Sequence, residues 1–123
     1  MNRSITLLAI FCLVCAFSTA TAVAQSKADG MKLIREAAQL RKSATNYRQM
    51  QMAERKYIEA LRIFRKVGDR PGIAWALHDL GWVYTDWAEY NKALEYYRQA
   101  LTEYRYLKVL LTQPRSRESR MGD

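Results

Sequence analysis

The chain has 123 residues, of which 20 are basic and 12 acidic, so its formal net charge at neutral pH is +8. A chain of this length forms one small domain. Its two cysteines, Cys12 and Cys15, both lie close to the N-terminus. Residues 25–123 therefore contain no disulfide, no thiol nucleophile and no thiolate metal site.

Residues 1–24 have the order of an export signal. Arg3 provides a positive start, residues 5–17 are largely apolar, and Ala22-Val23-Ala24 forms a small-residue cleavage pattern. The alternative is a membrane anchor. As a helix, the apolar run rises about 20 Å, which is short for a hydrocarbon core of about 30 Å.

A lipid anchor is disfavoured by the residues that precede the cysteines. Phe11 and Val14 stand before Cys12 and Cys15, where a bacterial lipid-attachment signal has Gly, Ala or Ser. We therefore expect cleavage before Gln25, a secreted or periplasmic protein, and no stable membrane span after cleavage.

The remaining chain shows helical periodicity and no alternation of the strand type, which predicts an all-α fold. Asn46 or Thr45 is expected to cap the second helix, Gly68 to end it, and Pro71 to begin the third. The predicted helices cover 28–42, 47–67, 71–87 and 89–111. Residues 112–123 form a basic, polar tail that is predicted to be disordered.

Apolar stripes predict the core faces of the second and fourth helices. The second stripe is Met50, Ala53, Tyr57, Ala60, Leu61, Phe64 and Val67. The fourth is Tyr90, Ala93, Leu94, Tyr97, Ala100, Leu101, Tyr104 and Leu107.

Internal similarity indicates a repeat. Tyr57-x-x-Ala-Leu-x-x-Phe64 matches Tyr90-x-x-Ala-Leu-x-x-Tyr97, and the offset from Tyr57 to Tyr90 is about one repeat length of a helix-turn-helix array. Gly81 and Ala93 are small where two helices would cross. The pattern of the third and fourth helices consists of Leu77, Leu80, Gly81, Tyr84, Ala93, Tyr97 and Ala100.

This pattern resembles the tetratricopeptide repeat (TPR) family. The resemblance implies an α-α superhelix, or solenoid, of about two hairpins and four helices. It also implies a protein–protein interaction module that serves as a scaffold or adaptor, without a cofactor and without catalysis.

A narrower resemblance points to the exported repeats of cyanobacterial-type TPR–CHAT proteins. It rests on four segments: Leu33-Ile34-x-Glu36-Ala37-x-x-Leu40, Tyr47-Arg-Gln, Glu59-Ala60-Leu61 and Val67-Gly68-Asp69-Arg70. The CHAT domain is a caspase-like protease with a His–Cys pair, and residues 25–123 contain no cysteine. The alternatives are a truncated remnant of such a protein and a self-associating structural repeat protein.

Three features depart from the family pattern. Ala88 stands at a turn where the family has Gly, and Arg105 stands where it often has Pro. One repeat length before Leu80-Gly81 the chain has Tyr47-Arg48, so residues 25–46 are interpreted as a degenerate repeat half or a cap.

One face of the third helix is the candidate peptide-binding surface, because TPR arrays bind peptides along the first helix of each pair. Two tryptophans provide large contact area with few rotatable bonds. The alternative is that these tryptophans pack on the first or second helix and close the core. The face consists of Trp75, His78, Trp82, Thr85 and Asp86.

His78 is the single histidine of the chain. A general base needs a nucleophile or acid within reach. No such partner is evident, and Asp79 is expected to point away from His78 on the helix. We therefore predict no catalytic and no metal-binding residue.

Basic residues on the second helix suggest either an acidic partner or a solvated helix face. Nucleic acid is disfavoured by the export signal and by the absence of a groove-reading motif. Since the first hairpin is basic and the second slightly acidic, a head-to-tail or two-fold homo-oligomer is a further hypothesis. The basic patch consists of Arg48, Arg55, Lys56, Arg62, Arg65 and Lys66.

Overall fold

A computed structural model of the chain describes residues 2–113. Within this range the chain forms four α-helices and no strand, and their order is α1 (Asn2–Ser43), α2 (Tyr47–Val67), α3 (Arg70–Asp86) and α4 (Tyr90–Thr112). The predicted all-α fold is confirmed. Disorder was predicted for residues 112–123. Of these, residues 114–123 lie outside the described range.

The helices form two hairpins that stack on each other. α1 packs against α2 and α3 against α4, while α3 also contacts both α2 and α1. Within the described range α4 packs on α3 alone. The middle helices α2 and α3 therefore form the centre of the bundle, and α4 lies at one end of it.

The ends of α2 follow from its terminal residues. The side chain of Asn46 accepts a hydrogen bond of 2.9 Å from the backbone N–H of Gln49, and so satisfies one free donor of the first turn. Gly68 has φ 71°, and its N–H donates to the carbonyl of Arg65. Both predicted caps of α2 are confirmed.

The second hairpin is held by the predicted motif. Leu77, Leu80 and Tyr84 of α3 are buried, as are Ala93 and Ala100 of α4. A Cβ atom built on Gly81 would lie 2.5 Å from the Tyr97 ring, so only glycine allows this close crossing of α3 and α4.

Tyr84 also ties the second hairpin to the first. Its hydroxyl donates to the Glu54 carboxylate of α2, and its ring stacks on Tyr96 with centroids 5.2 Å apart. Burial and the hydrogen bond to Glu54 together raise the pKa of the Tyr84 hydroxyl.

The sequences of α2 and α4 align at a longer offset than predicted. At this offset Tyr97, rather than Tyr90, corresponds to Tyr57. Ala53-x-x-x-Tyr57-x-x-Ala60-Leu61-x-x-Phe64 matches Ala93-x-x-x-Tyr97-x-x-Ala100-Leu101-x-x-Tyr104. The alanines of the match are buried in each helix. Tyr57 is fully buried, whereas Tyr90, its counterpart at the shorter offset, is 66% exposed.

The longer offset gives α1 a regular place in the first hairpin. Leu40-Arg41 stands where Leu80-Gly81 stands in the second hairpin. The interpretation of Tyr47-Arg48 as the counterpart of Leu80-Gly81 was wrong, because Tyr47 begins α2. The first hairpin still lacks the small crossing residue, since Arg41 occupies that position.

The predicted core face of α4 is only partly correct. Ala93 and Ala100 are buried, but Leu94, Leu101 and Tyr104 are nearly half-exposed. In α2 the matching apolar residues are covered by the helices on both sides. In α4 they remain open because α3 is the only one of the described helices that packs against it.

The first helix extends further than predicted, because its apolar N-terminal half continues the helix without a break. The large apolar side chains between positions 5 and 23 are exposed. An 18-residue window has a mean hydropathy of 2.3, so α1 is long and apolar enough to cross a membrane. A signal sequence meets the same criterion, and the length of the apolar run therefore does not separate a signal from an anchor.

The turn between α3 and α4 is strained at the predicted position. Ala88 has φ 60°, the one positive φ of a non-glycine residue in the described range. Its N–H donates to the carbonyl of Thr85, and that of Glu89 donates to the carbonyl of Tyr84. This left-handed conformation brings Cβ close to the backbone.

Ala88→Gly is expected to raise the free energy of unfolding by about 1 kcal/mol, because glycine adopts the left-handed conformation without the steric cost of Cβ. Urea denaturation followed by circular dichroism measures the change. Ala44→Gly in the first loop is the matched control. Ala44 has no positive φ, so there the added freedom of the unfolded chain should lower stability by about 0.5 kcal/mol. Equal losses in both variants would contradict the strain at Ala88.

Candidate peptide-binding surface

The five residues of the predicted face lie on the side of α3 that points away from the hairpin core. Trp75 is 48% exposed and Trp82 44% exposed, whereas Leu77 and Leu80 between them are buried. His78 and Thr85 are half-buried and Asp86 is exposed. We call Trp75, His78, Trp82, Thr85 and Asp86 the α3 face.

A different tryptophan closes the core. Trp87 packs against the core cluster, and its ring contacts Tyr84 and Tyr47 with centroids 5.3 and 5.2 Å apart. Trp75 and Trp82 do not belong to this cluster. Of the two alternatives left open by the sequence, the geometry favours an outward-facing pair.

Aromatic and hydroxyl groups connect the α3 face to α4. The His78 ring lies 6.3 Å from the Trp82 ring and 5.7 Å from the Tyr97 ring, measured between centroids. The Thr85 hydroxyl donates to the carbonyl of Gly81 at 2.9 Å and lies 3.3 Å from the Tyr97 hydroxyl. Tyr97 therefore forms one edge of the surface.

Arg41 of α1 forms the other edge. One of its guanidinium nitrogens lies 3.3 Å from Asp86 Oδ2, and the guanidinium lies 5.7 Å from the Trp82 ring centroid. Its Nε atom is buried without a hydrogen-bond partner in the described range. The sequence reasoning missed Arg41. In the first hairpin Arg41 occupies the position that Gly81 has in the second, and this correspondence in the sequence could have identified it.

His78 and Asp79 lie closer together than predicted. His78 Nδ1 is 3.5 Å from Asp79 Oδ1, so the two side chains meet at one edge of the helix. Burial raises the pKa of the Asp79 carboxyl, and the neighbouring His78 and Arg41 oppose that shift. Residues 2–113 hold no group of three His, Cys, Asp or Glu side chains placed to bind a metal ion.

The basic residues of α2 divide into a row and one separate lysine. Arg48, Arg55 and Arg62 recur every seven positions on the side opposite the buried Tyr57. Lys66 continues this row and Arg65 lies beside it, and all five side chains are exposed. Lys56 lies apart, since its Nζ is 2.7 Å from Glu36 Oε2.

The pairing of Lys56 with Glu36 lowers the pKa of the Glu36 carboxyl, mainly through this hydrogen bond. None of the ion pairs found within residues 2–113 involves the five other basic residues. We call Arg48, Arg55, Arg62, Arg65 and Lys66 the basic row.

A shallow depression between α2, α3 and α4 is lined by residues of neither surface except Arg65. Two of its charged residues, Arg70 and Glu103, are engaged with each other. Arg70 lies 3.0 Å from Glu103, and its guanidinium stacks 3.8 Å above the Tyr106 ring. The α3 face is therefore the better candidate for a binding site.

The truncations Trp75→Ala and Trp82→Ala are each expected to lower the free energy of unfolding by about 1 kcal/mol or less, because both side chains are largely solvated. Trp87→Ala is the matched control and should cost about 3 kcal/mol, since it removes a ring packed on the core. Thermal and urea unfolding measure these effects. A loss in Trp75→Ala or Trp82→Ala as large as that in Trp87→Ala would assign the residue to the core.

Comparison with known proteins adds one match. A family model described as tetratricopeptide repeat matches residues 35–105, which is more than half of the chain. No curated protein and no solved structure matches the chain significantly.

Proposed function

Because the chain belongs to the tetratricopeptide repeat family, we propose that it is an exported, non-catalytic scaffold or adaptor that binds a peptide segment of another protein on the α3 face. The observation that carries the proposal is the exposure of Trp75 and Trp82. Two large aromatic side chains remain nearly half-exposed on a helix whose other side is fully packed.

Burial of exposed aromatic rings is a strong source of binding energy. Each tryptophan offers a wide apolar surface and has only two side-chain torsions to restrict. The His78 ring already lies close to the ring of Trp82 on the same helix and to the ring of Tyr97 on α4. A bound peptide would therefore meet a surface whose side chains are largely preorganised.

The edges of the α3 face provide polar contacts for the peptide. Arg41 and Asp86 form an ion pair at one edge, and the hydroxyls of Thr85 and Tyr97 lie at the other. Such groups fix the direction of a bound backbone, while the apolar centre supplies affinity.

The basic row offers a second contact for an acidic segment of the same partner. Its five exposed cations lie on the outside of α2. Exposed charges of one sign accelerate the encounter with an oppositely charged partner more than they strengthen the final complex. We assign the basic row to encounter and the α3 face to binding.

The proposed role is non-catalytic. The polar side chain next to His78 is Asp79, whose pKa is raised by burial. A histidine acts as a general base when it is hydrogen-bonded to a nucleophile. The described hydrogen bonds of Thr85, the hydroxyl residue of the α3 face, go to Gly81 and Tyr97.

Export is proposed from residues 1–24, because the large apolar side chains of this segment are exposed and lie outside the packed bundle. The resemblance of residues 33–40 and 67–70 to the exported repeats of TPR–CHAT proteins supports the same compartment. We propose that the partner is another exported protein.

The proposed export predicts the N-terminal residue of the exported protein. The protein recovered outside the cytoplasm should begin at Gln25. Ala24→Arg should retain the uncleaved chain, because a large cation replaces the small residue of the cleavage pattern. Mass spectrometry of the intact protein measures both results, with Ala28→Arg as the control beyond the cleavage pattern. A membrane-bound wild type that still begins at Met1 would instead identify an anchor.

The binding surface makes a prediction about partners. In a pull-down from the exported fraction, wild type should retain a partner protein. Trp75→Ala/Trp82→Ala should retain less of it by a factor of about ten or more, as expected for the loss of two anchor side chains. Met52→Ala/Ile58→Ala, which truncates two equally exposed apolar residues of α2, is the matched control. Circular dichroism should be the same in all three proteins. Equal capture by wild type and the tryptophan variant would refute the α3 face as the binding site.

A further inference from the structure

We propose that two copies of this chain associate through an apolar face of α4 to form a parallel two-fold dimer. The face consists of Tyr90, Leu94, Tyr97, Leu101 and Tyr104, and we call it the α4 face. The proposal does not depend on peptide binding by the α3 face.

Comparison of the two hairpins shows what is missing from α4. In α2, Tyr57 and Phe64 are fully buried and Leu61 is 6% exposed. Their counterparts in α4 are Tyr97, Tyr104 and Leu101 in the same order. Leu101 is 47% exposed and Tyr104 45% exposed. The kinds of side chain that form the centre of the bundle in α2 therefore have no covering helix in α4 among residues 2–113.

A repeat unit of a solenoid buries its apolar face against a neighbour, and terminal repeats are usually polar on the outside. The last helix described here is not polar on this face. A contiguous apolar surface of this kind marks an interaction site.

The spacing of the α4 face suits another helix. Its five residues are separated alternately by four and three positions, which is the spacing of a seam between two helices. The seam contains no charged residue over four turns, about 21 Å of helix.

The other end of the bundle does not fit this seam. The exposed side of α1 carries Lys32, Arg35, Gln39 and Lys42. A head-to-tail contact would bury these cations against the leucines of α4, and burial of charge among apolar side chains is costly. The α4 face of a second copy offers apolar residues at matching spacing, which a two-fold axis brings together.

Charge selects the parallel direction. Arg98 and Arg105 border the α4 face on one side, and Ala93 and Ala100 border it on the side of α3. In an antiparallel pair the two arginine rows would face each other, whereas in a parallel pair each row faces the alanine side of the partner. The parallel pair also places Leu94 opposite Leu94, and Leu101 opposite Leu101.

Sedimentation equilibrium of the full chain, in the form that the cell produces, tests the dimer. Wild type should reach twice the mass of one chain, and Leu94→Glu/Leu101→Glu should remain at one, with unchanged helicity. Met52→Glu/Ile58→Glu is the matched control, since it places the same charges on equally exposed positions of α2. A monomeric wild type, or a dimer that survives the α4 change, would overturn the proposal.

Cross-linking tests the direction. In a Cys12→Ser/Cys15→Ser background, Leu94→Cys and Leu101→Cys should each form a disulfide between two chains under mild oxidation, because a parallel pair places each residue opposite itself. Met52→Cys is the control and should stay reduced. An antiparallel pair could link at most one of the two positions, and that result would refute the parallel arrangement.

Discussion

Phe64 lies where three helices meet, and its ring is fully buried. Gly30 of α1 lies against the ring, and a Cβ atom there would be 2.7 Å from it. Gly72 of α3 also lies against the ring, and a Cβ atom there would be still closer to it. Contact with this ring therefore sets how closely α1 and α3 approach α2. Close packing of this kind leaves no room for a methyl group, so both glycines are part of the contact.

The spacing of the helices around Phe64 determines which side chains of α3 are exposed on the α3 face. With α3 held against α2 by Gly72, its Leu77 and Leu80 side is filled and its Trp75 and Trp82 side is left toward solvent. The same arrangement brings Arg41 of α1 to Trp82 and Asp86. The aromatic surface and its polar edges are thus consequences of how the first hairpin meets the second.

The two ends of the bundle differ in a way that follows from the repeat. The packed part of α1, residues 30–43, turns basic and polar residues outward, whereas α4 turns outward the kinds of tyrosine and leucine that α2 uses in the core. Of these two sides of the described bundle, the α4 side is therefore the one that we propose for pairing. Peptide binding and self-association are therefore proposed for different faces of α3 and α4, with Tyr97 contributing to both.

Periodicity and end signals in the sequence determined the four helices, because Asn46, Gly68 and Pro71 act on backbone groups close to them in the chain. Gly81 was also predictable, from the repeat pattern, and so was the strained Ala88, from the short turn in which it lies. The burial of each apolar residue along α4 was not predictable, because an amphipathic stripe shows which side of a helix is apolar but not whether a neighbouring helix covers it. Tertiary structure showed which of two offsets present in the sequence relates the hairpins. It alone decided the contacts of the glycines around Phe64 and the contact of Arg41 with the α3 face. These contacts join residues far apart in the chain, and their distances depend on how whole helices pack.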